Sequence, residues 1–162
     1  MTLGACRRTE HGGLLLSEVA DRLAIRELVD AYADYADRRD AAGQMALFTE
    51  DVDFVVYGDR GNPMPTQRFR GRDALAPICR QLEAHQVTMH INGQCTTRID
   101  GARAWGVTWC LVHQLKIDEA ARAATIASVR YLDSYVKRDS GWLIRQRQVL
   151  VDWTETRTLP RG

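Results

Sequence analysis

From Val87 to Trp153 the sequence reads almost without interruption as β-strand, and this constrains the fold more than any other feature. Four stretches, Val87–Ile99, Ala102–Ile117, Thr125–Arg138 and Trp142–Trp153, carry strand-forming patterns and predict four long strands. Two junctions are short turn sequences, Asp100-Gly101 and Asp139-Ser140-Gly141, which favour antiparallel hairpins. The third, Glu119–Ala124, is a longer link.

The first half of the chain supplies what such a sheet needs to pack against. Ser17 can cap a helix from Glu18 to near Arg39, with Leu23, Ile25, Leu28, Val29, Tyr32 and Ala36 forming one broad apolar stripe. Asp40 can cap a second, short helix carrying Met45, Leu47 and Phe48, which Thr49-Glu50-Asp51 ends. Val52–Tyr57 predicts a strand, Asp59–Gln67 a loop, and Gly71-Arg72-Asp73 the start of a third helix with Leu75, Ile78 and Leu82. Pro77 stands early in that helix, where a long straight rod is disfavoured. Helices segregated from a mainly antiparallel sheet define an α+β fold. Its expected form is a curved sheet wrapped over about three helices as a half-open cone.

With 162 residues, the chain fits one domain, assigned to residues 17–156, with an N-terminal arm at 1–16 and a tail at 157–162. Lys plus Arg number 22 and Asp plus Glu 21, so bulk charge provides no footprint for nucleic acid or an anionic membrane. A small neutral or weakly charged molecule is the expected partner. No apolar run reaches the ~18 residues of a membrane span, and Leu14-Leu15-Leu16 is too short for a signal peptide, so the expected location is cytoplasmic. Cys6, Cys79, Cys95 and Cys110 form no C-x-x-C pair and read as ordinary thiols. Zincin, P-loop, dinucleotide-binding and serine-hydrolase motifs are absent, and the expectation is neither metal nor cofactor.

His90 shares a strand parity with Asn92, Gln94 and Thr96, so its face is not a plain apolar core. An imidazole there can serve as a general base, since its unperturbed pKa lies near ~6.5, or as a hydrogen-bonded structural residue. Asp37 is the natural carboxylate partner, but on a helical wheel it falls roughly 120° from the centre of the apolar stripe, a position suited to a solvated charge. His113 can be a second acid, a substrate donor or a backbone-bonded histidine, and His85 and His11 read as exposed. Tyr32, Phe54, Tyr131, Trp105 and Trp109 can line an aromatic pocket or simply fill the core. In the second long strand, strand parity does not say whether Trp105, Trp109, Leu111 and His113 or Gly106, Thr108, Cys110, Val112 and Gln114 face inward.

The segment from Leu23 through Asp37-Arg38, followed by Met45-Ala-Leu-Phe-Thr-Glu-Asp-Val-Asp-Phe54, resembles the opening of SnoaL-like proteins in the nuclear-transport-factor-two-like superfamily. Gly71-Arg-Asp-Ala-Leu75, Thr88-Met-His90 and Gly141-Trp-Leu-Ile-Arg-Gln-Arg147, ending in Asp152-Trp153, continue the resemblance over about residues 18–154. Within the superfamily the chain looks most like the branch of scytalone dehydratase, hexachlorocyclohexane dehydrochlorinase and bile acid 7-alpha-dehydratase. That resemblance implies a cofactor-independent lyase acting on a small hydrophobic, cyclic substrate, with Asp37 and His90 as a catalytic dyad. It also implies pocket roles for Tyr32 and His113, and for Arg147 either a substrate-anion contact or a hold on the dyad carboxylate. Ala36 and Phe54 stand where scytalone dehydratase has tyrosines, which argues against that enzyme's water arrangement. An isomerase or polyketide cyclase, and a noncatalytic binding or assembly module, are the alternatives on the same fold. The resemblance further implies a homodimer or homotrimer joined through the outer sheet face.

Overall fold

The computed structural model describes residues 16–117 and 122–160. The helix α1 spans Leu16–Arg38 and α2 Ala41–Ala46, followed by strands β1 (Phe48–Tyr57) and β2 (Gln67–Arg70). A short helix α3 (Ala76–Arg80) lies between two single 3-10 turns, and β3 (Val87–Asp100), β4 (Arg103–Ile117), β5 (Arg122–Arg138) and β6 (Gly141–Thr158) complete the chain. The arm assigned to residues 1–16 lies outside the described residues except for Leu16, which opens α1. At the other end β6 runs to Thr158, into the expected tail.

All six strands form one sheet in the order β2-β1-β6-β5-β4-β3. Every neighbouring pair is antiparallel except β1 with β6, so the sheet is mixed, and it curls around the helices without closing. The fold is α+β, as the order of elements predicts. The β3–β4 hairpin turns over Gly101-Ala102, where Gly101 takes a φ of 59° that a side chain would strain.

Two local expectations are corrected. Phe48 belongs to β1 rather than to the second helix, because parallel pairing with β6 begins at Phe48 opposite Ile144 and takes over as soon as α2 ends. The expected loop Asp59–Gln67 ends one residue into β2, and Arg68–Arg70 carry too little pattern to read as an element; pairing with β1 makes Gln67–Arg70 a strand. Asp40 caps α2 as expected, its carboxylate accepting the Gly43 N–H at 2.8 Å.

The main core gathers Ile25, Leu28 and Val29 of α1 with Phe48, Val52, Leu75, Tyr135, Trp142 and Ile144. No helix among the described residues is long and apolar enough to cross a membrane.

β3 is an edge strand, and α1 lies beside it. Open edges expose unpaired main-chain groups, and here side chains of α1 cover part of them. Arg22 donates to Thr97 O at 2.6 Å, Arg26 to Gly93 O at 3.1 Å, and Asp37 accepts the His90 N–H at 2.8 Å. Asn92 of β3 returns a bond to Val29 O at 3.2 Å. A polar flank of α1, next to its apolar stripe, is therefore an edge-strand clamp.

Candidate active site

α1 stops sharply. Arg39 N–H donates to Ala36 O and Asp40 N–H to Tyr35 O, the paired bonds of a Schellman motif. The position that glycine usually takes there is held by Arg39, at a φ of 58°. Asp37 thus stands in the last turn of a helix whose end is fixed, directly against β3.

Asp37 uses both carboxylate oxygens on one residue. Oδ1 lies 2.6 Å from His90 Nδ1, and Oδ2 accepts the His90 main-chain N–H. Ring and backbone are held together, so the imidazole orientation follows from the strand position. A carboxylate only accepts, which places the imidazole proton on Nδ1 and leaves the lone pair of Nε2 free. The His90 side chain is 8% exposed and that of Asp37 25%, so the pair is shielded but not sealed. The wheel expectation of a solvated Asp37 is corrected, because the flank it occupies faces the edge strand.

His90 lines a cavity of about 370 Å³. Tyr32 of α1, Phe54 and Val56 of β1, Leu75, Ile78 and Cys79 around α3, and Val112, Val129, Tyr131, Val149 and Val151 of the sheet supply most of its wall. Polar atoms come from Gln44, Gln81, His85, His90, Gln114 and the two tyrosines. Among the described residues lining it there is no Lys, Arg, Asp or Glu. The inward parity of β4 is the smaller set, Cys110, Val112 and Gln114, while Trp105 and Trp109 are each 45% exposed on the outer face.

Tyr32, Phe54 and Tyr131 stand where a pocket role requires them. Tyr32 packs edge-on against Tyr131 and Phe48, with ring centroids 5.7 and 5.9 Å apart. Burial pushes the Tyr32 phenol up to about 12, against the pull of nearby Arg147, and burial raises Tyr131 well above its ordinary value. Both remain O–H groups across the neutral range.

Three pocket expectations are corrected. Trp109 is on the outer face, where the Arg130 guanidinium stacks over its ring at 5.1 Å. His113 follows the same parity, opposite Met89 and Ile126, and is not part of the cavity wall. Arg147 is absent from the cavity wall and is paired with Asp133 rather than with Asp37. Its side chain is fully buried, and Nε and Nη2 grip the two oxygens of Asp133 at 2.8 and 2.7 Å. Tyr135 adds a third bond to Asp133 at 2.9 Å. The guanidinium carbon sits 4.0 Å from the Tyr32 ring centroid and 4.4 Å from that of Tyr131, so Arg147 supports the aromatic wall from behind. Burial opposes its charge, but Asp133 more than offsets this and holds the guanidinium above its ordinary value.

Sequence reasoning missed two features. Asp133 shares the inward parity of Val129, Tyr131 and Tyr135, and a carboxylate on an apolar face signals a buried cation opposite it. His85, expected to be exposed, lines the cavity. Cys79, Cys95 and Cys110, the cysteines among the described residues, are free, and burial pushes the Cys79 and Cys110 thiols up to about 11, out of reach of easy ionisation.

Comparison with known proteins follows the same lines. The model of the SnoaL-like domain matches residues 17–148. A protein from Novosphingobium aromaticivorans provisionally named scytalone dehydratase superposes with a TM-score of 0.77 at 21% identity, covering 90% of this chain and 93% of that one. A hexachlorocyclohexane dehydrochlorinase, LinA type 2, superposes with a TM-score of 0.74 at 15% identity, covering 90% and 93%. An NTF2-like protein with a cystatin-like fold, also from Novosphingobium aromaticivorans, gives 0.65 at 24% identity and 84% of each chain. These likenesses establish the fold. A search of curated protein sequences returned no match.

Proposed function

The chain belongs to the SnoaL-like domain family, and from that premise we propose that it is a cofactor-independent lyase of the dehydratase type. His90 Nε2 removes a proton from carbon beside a carbonyl or similar activating group, and Asp37 orients the ring and stabilises the imidazolium that forms. The observation that carries this reading is the 2.6 Å Asp37–His90 contact on the wall of an apolar cavity. With the His90 side chain only 8% exposed, a fixed carboxylate stabilises developing positive charge more than it would in solvent.

The cavity also narrows the substrate. With no charged side chain among its described lining residues, a carboxylate, phosphate or ammonium group inside would lose hydration without an ion partner. The substrate is neutral, apolar and compact, and a mono- or bicyclic ring system fits about 370 Å³. The names of the two dehydratase-like and dehydrochlorinase neighbours support elimination as the outcome.

The base can be tested before the natural substrate is known. In 5-nitro-1,2-benzisoxazole, removal of the ring C–H proton breaks the N–O bond and yields a coloured cyanonitrophenolate. Turnover that depends on His90 is the expected result. A rate no higher than that of free imidazole at equal concentration, or one retained in His90→Ala, overturns the base assignment. A panel of neutral cyclic β-hydroxy ketones, followed by mass spectrometry, then separates the chemistry. Loss of one water marks elimination, whereas an unchanged mass marks isomerisation or cyclisation.

The outer sheet face is, in the same proposal, the contact between copies of the chain. Met89, Ile91, Trp105, Trp109 and Leu111 are each at least 41% exposed and sit side by side across β3 and β4. A monomer rarely presents an apolar patch of that kind to water. Light scattering on the eluting protein is expected to give two or three times the 18.3 kDa chain mass. Ile91→Glu with Leu111→Glu, adjacent in register, is expected to give monomer. A wild-type monomer at micromolar concentration would sink this assignment.

A further inference from the structure

His85 is the second imidazole of the cavity, and its surroundings set its tautomer. Nδ1 is sealed from solvent and has no hydrogen-bond partner. A proton there would be a buried donor with nothing to accept it, which is costlier than an idle lone pair. The neutral ring therefore carries its proton on Nε2, the other nitrogen of an imidazole that belongs to the cavity wall. His90 is arranged in the opposite sense, with Nδ1–H on Asp37 and an empty Nε2.

The main chain holds His85 in place. Its N–H donates to Leu82 O at 3.1 Å, and its carbonyl accepts from Arg39 Nη2 at 2.5 Å. The other terminal nitrogen of Arg39 reaches Asp37 O at 3.5 Å. One guanidinium, on the left-handed residue that ends α1, thus spans the backbone of the base's carboxylate and the backbone of the second histidine. The two imidazoles belong to one positioned set.

We propose that His85 is a hydrogen-bond donor to the substrate oxygen on which negative charge develops, in the same cavity as the base His90. In an elimination this is the carbonyl oxygen of the enolate or the departing oxygen. No proton needs to leave His85; the Nε2–H bond is present in the resting state and strengthens as charge grows. This rests on the reading of His90 as base.

Benzisoxazoles separate the two roles, because charge builds on the phenolate oxygen and substituents set how basic that oxygen is. A donor matters most where the oxygen is most basic. His85→Leu is expected to lower kcat/KM on unsubstituted 1,2-benzisoxazole about tenfold more than on the 5-nitro compound. His85→Gln, which keeps an N–H donor, recovers part of the difference. An equal fall on both compounds, with an unchanged melting profile, overturns the donor role while leaving the base intact. If the wild type turns over neither compound, the base reading fails and binding decides about His85. Kd for 4-nitrophenolate, followed by its visible band, is then expected to rise about fivefold or more in His85→Leu, and an unchanged Kd rejects the donor.

Discussion

His90→Ala lowers kcat/KM on 5-nitro-1,2-benzisoxazole by about 10²- to 10⁴-fold, the contribution ordinarily made by a positioned general base. The side chain is 8% exposed, and the acceptor of its Nδ1–H, Asp37, is also bound to its main-chain N–H. The main-chain bond survives the substitution, so β3 stays docked on α1 and the loss falls on rate. Asp37→Asn is expected to cost a similar amount by another route. An amide offers one acceptor and one donor where the carboxylate offers two acceptors. If its oxygen keeps the His90 N–H, its NH₂ faces Nδ1 and drives the imidazole proton to Nε2, removing the lone pair that takes the substrate proton. Asp37→Ala goes further, since it also deprives the edge strand of a charged acceptor, and should reduce stability by about 2 kcal/mol. Kinetics alongside thermal melts distinguish the cases. A His90→Ala protein that retains more than a tenth of wild-type turnover would end the dyad assignment.

Arg147→Met is expected to destabilise the fold by about 3–5 kcal/mol, because it leaves the Asp133 carboxylate fully buried without its cation. For a domain of this size that lowers Tm by roughly 6–20 °C. Tyr135 still donates one bond to Asp133, but one phenol does not replace a bidentate guanidinium. The double variant Arg147→Met with Asp133→Leu should recover most of the loss, since a buried pair gains little over well-packed apolar residues. Thermal or denaturant unfolding of the two single variants and the double variant gives the coupling. A Tm for Arg147→Met within about 2 °C of the wild type contradicts the arrangement. The pocket should report on the same change, because Arg147 supports Tyr32 and Tyr131 from behind.

Legibility in the sequence followed the range of the interactions involved. The long strands, the hairpin turns and the Asp40 cap rest on contacts between near neighbours, and the pattern of residues displays them directly. β2 escaped because four residues in register with β1 owe their conformation to that partner rather than to their own propensity. Phe48 reads as helix for the same reason, as its strand state comes from pairing with β6 nearly one hundred positions away.

The site divides in the same manner. Tyr32, Phe54 and Tyr131 could be read as pocket residues from residue type alone, and they line the cavity. Asp37 could not, because a helical wheel measures distance from the apolar stripe and is blind to an edge strand lying along the flank. The family resemblance pointed to the pairing that the wheel argued against, and the structure places the two side chains 2.6 Å apart. Period-two alternation defines two faces without saying which one curls inward, so the strand pattern does not reveal that Trp109 and His113 lie on the outer one. The resemblance implies a pocket-directed role for Arg147, because nothing local announces that Asp133, fourteen residues earlier, claims it. His85 reads as exposed because it follows a helix end, and only the tertiary structure places that position on the cavity wall.

By itself the sequence determined the class of fold, the helices and long strands, and the residue types able to perform proton transfer, since these depend on backbone propensity and side-chain chemistry. The tertiary structure alone decided which face of the sheet is concave, which imidazole carries a free lone pair and which a free N–H, and which cation is spent on a buried carboxylate. Those outcomes depend on contacts between residues far apart in the chain, whose geometry is set only when the sheet curls and the helix docks on its edge.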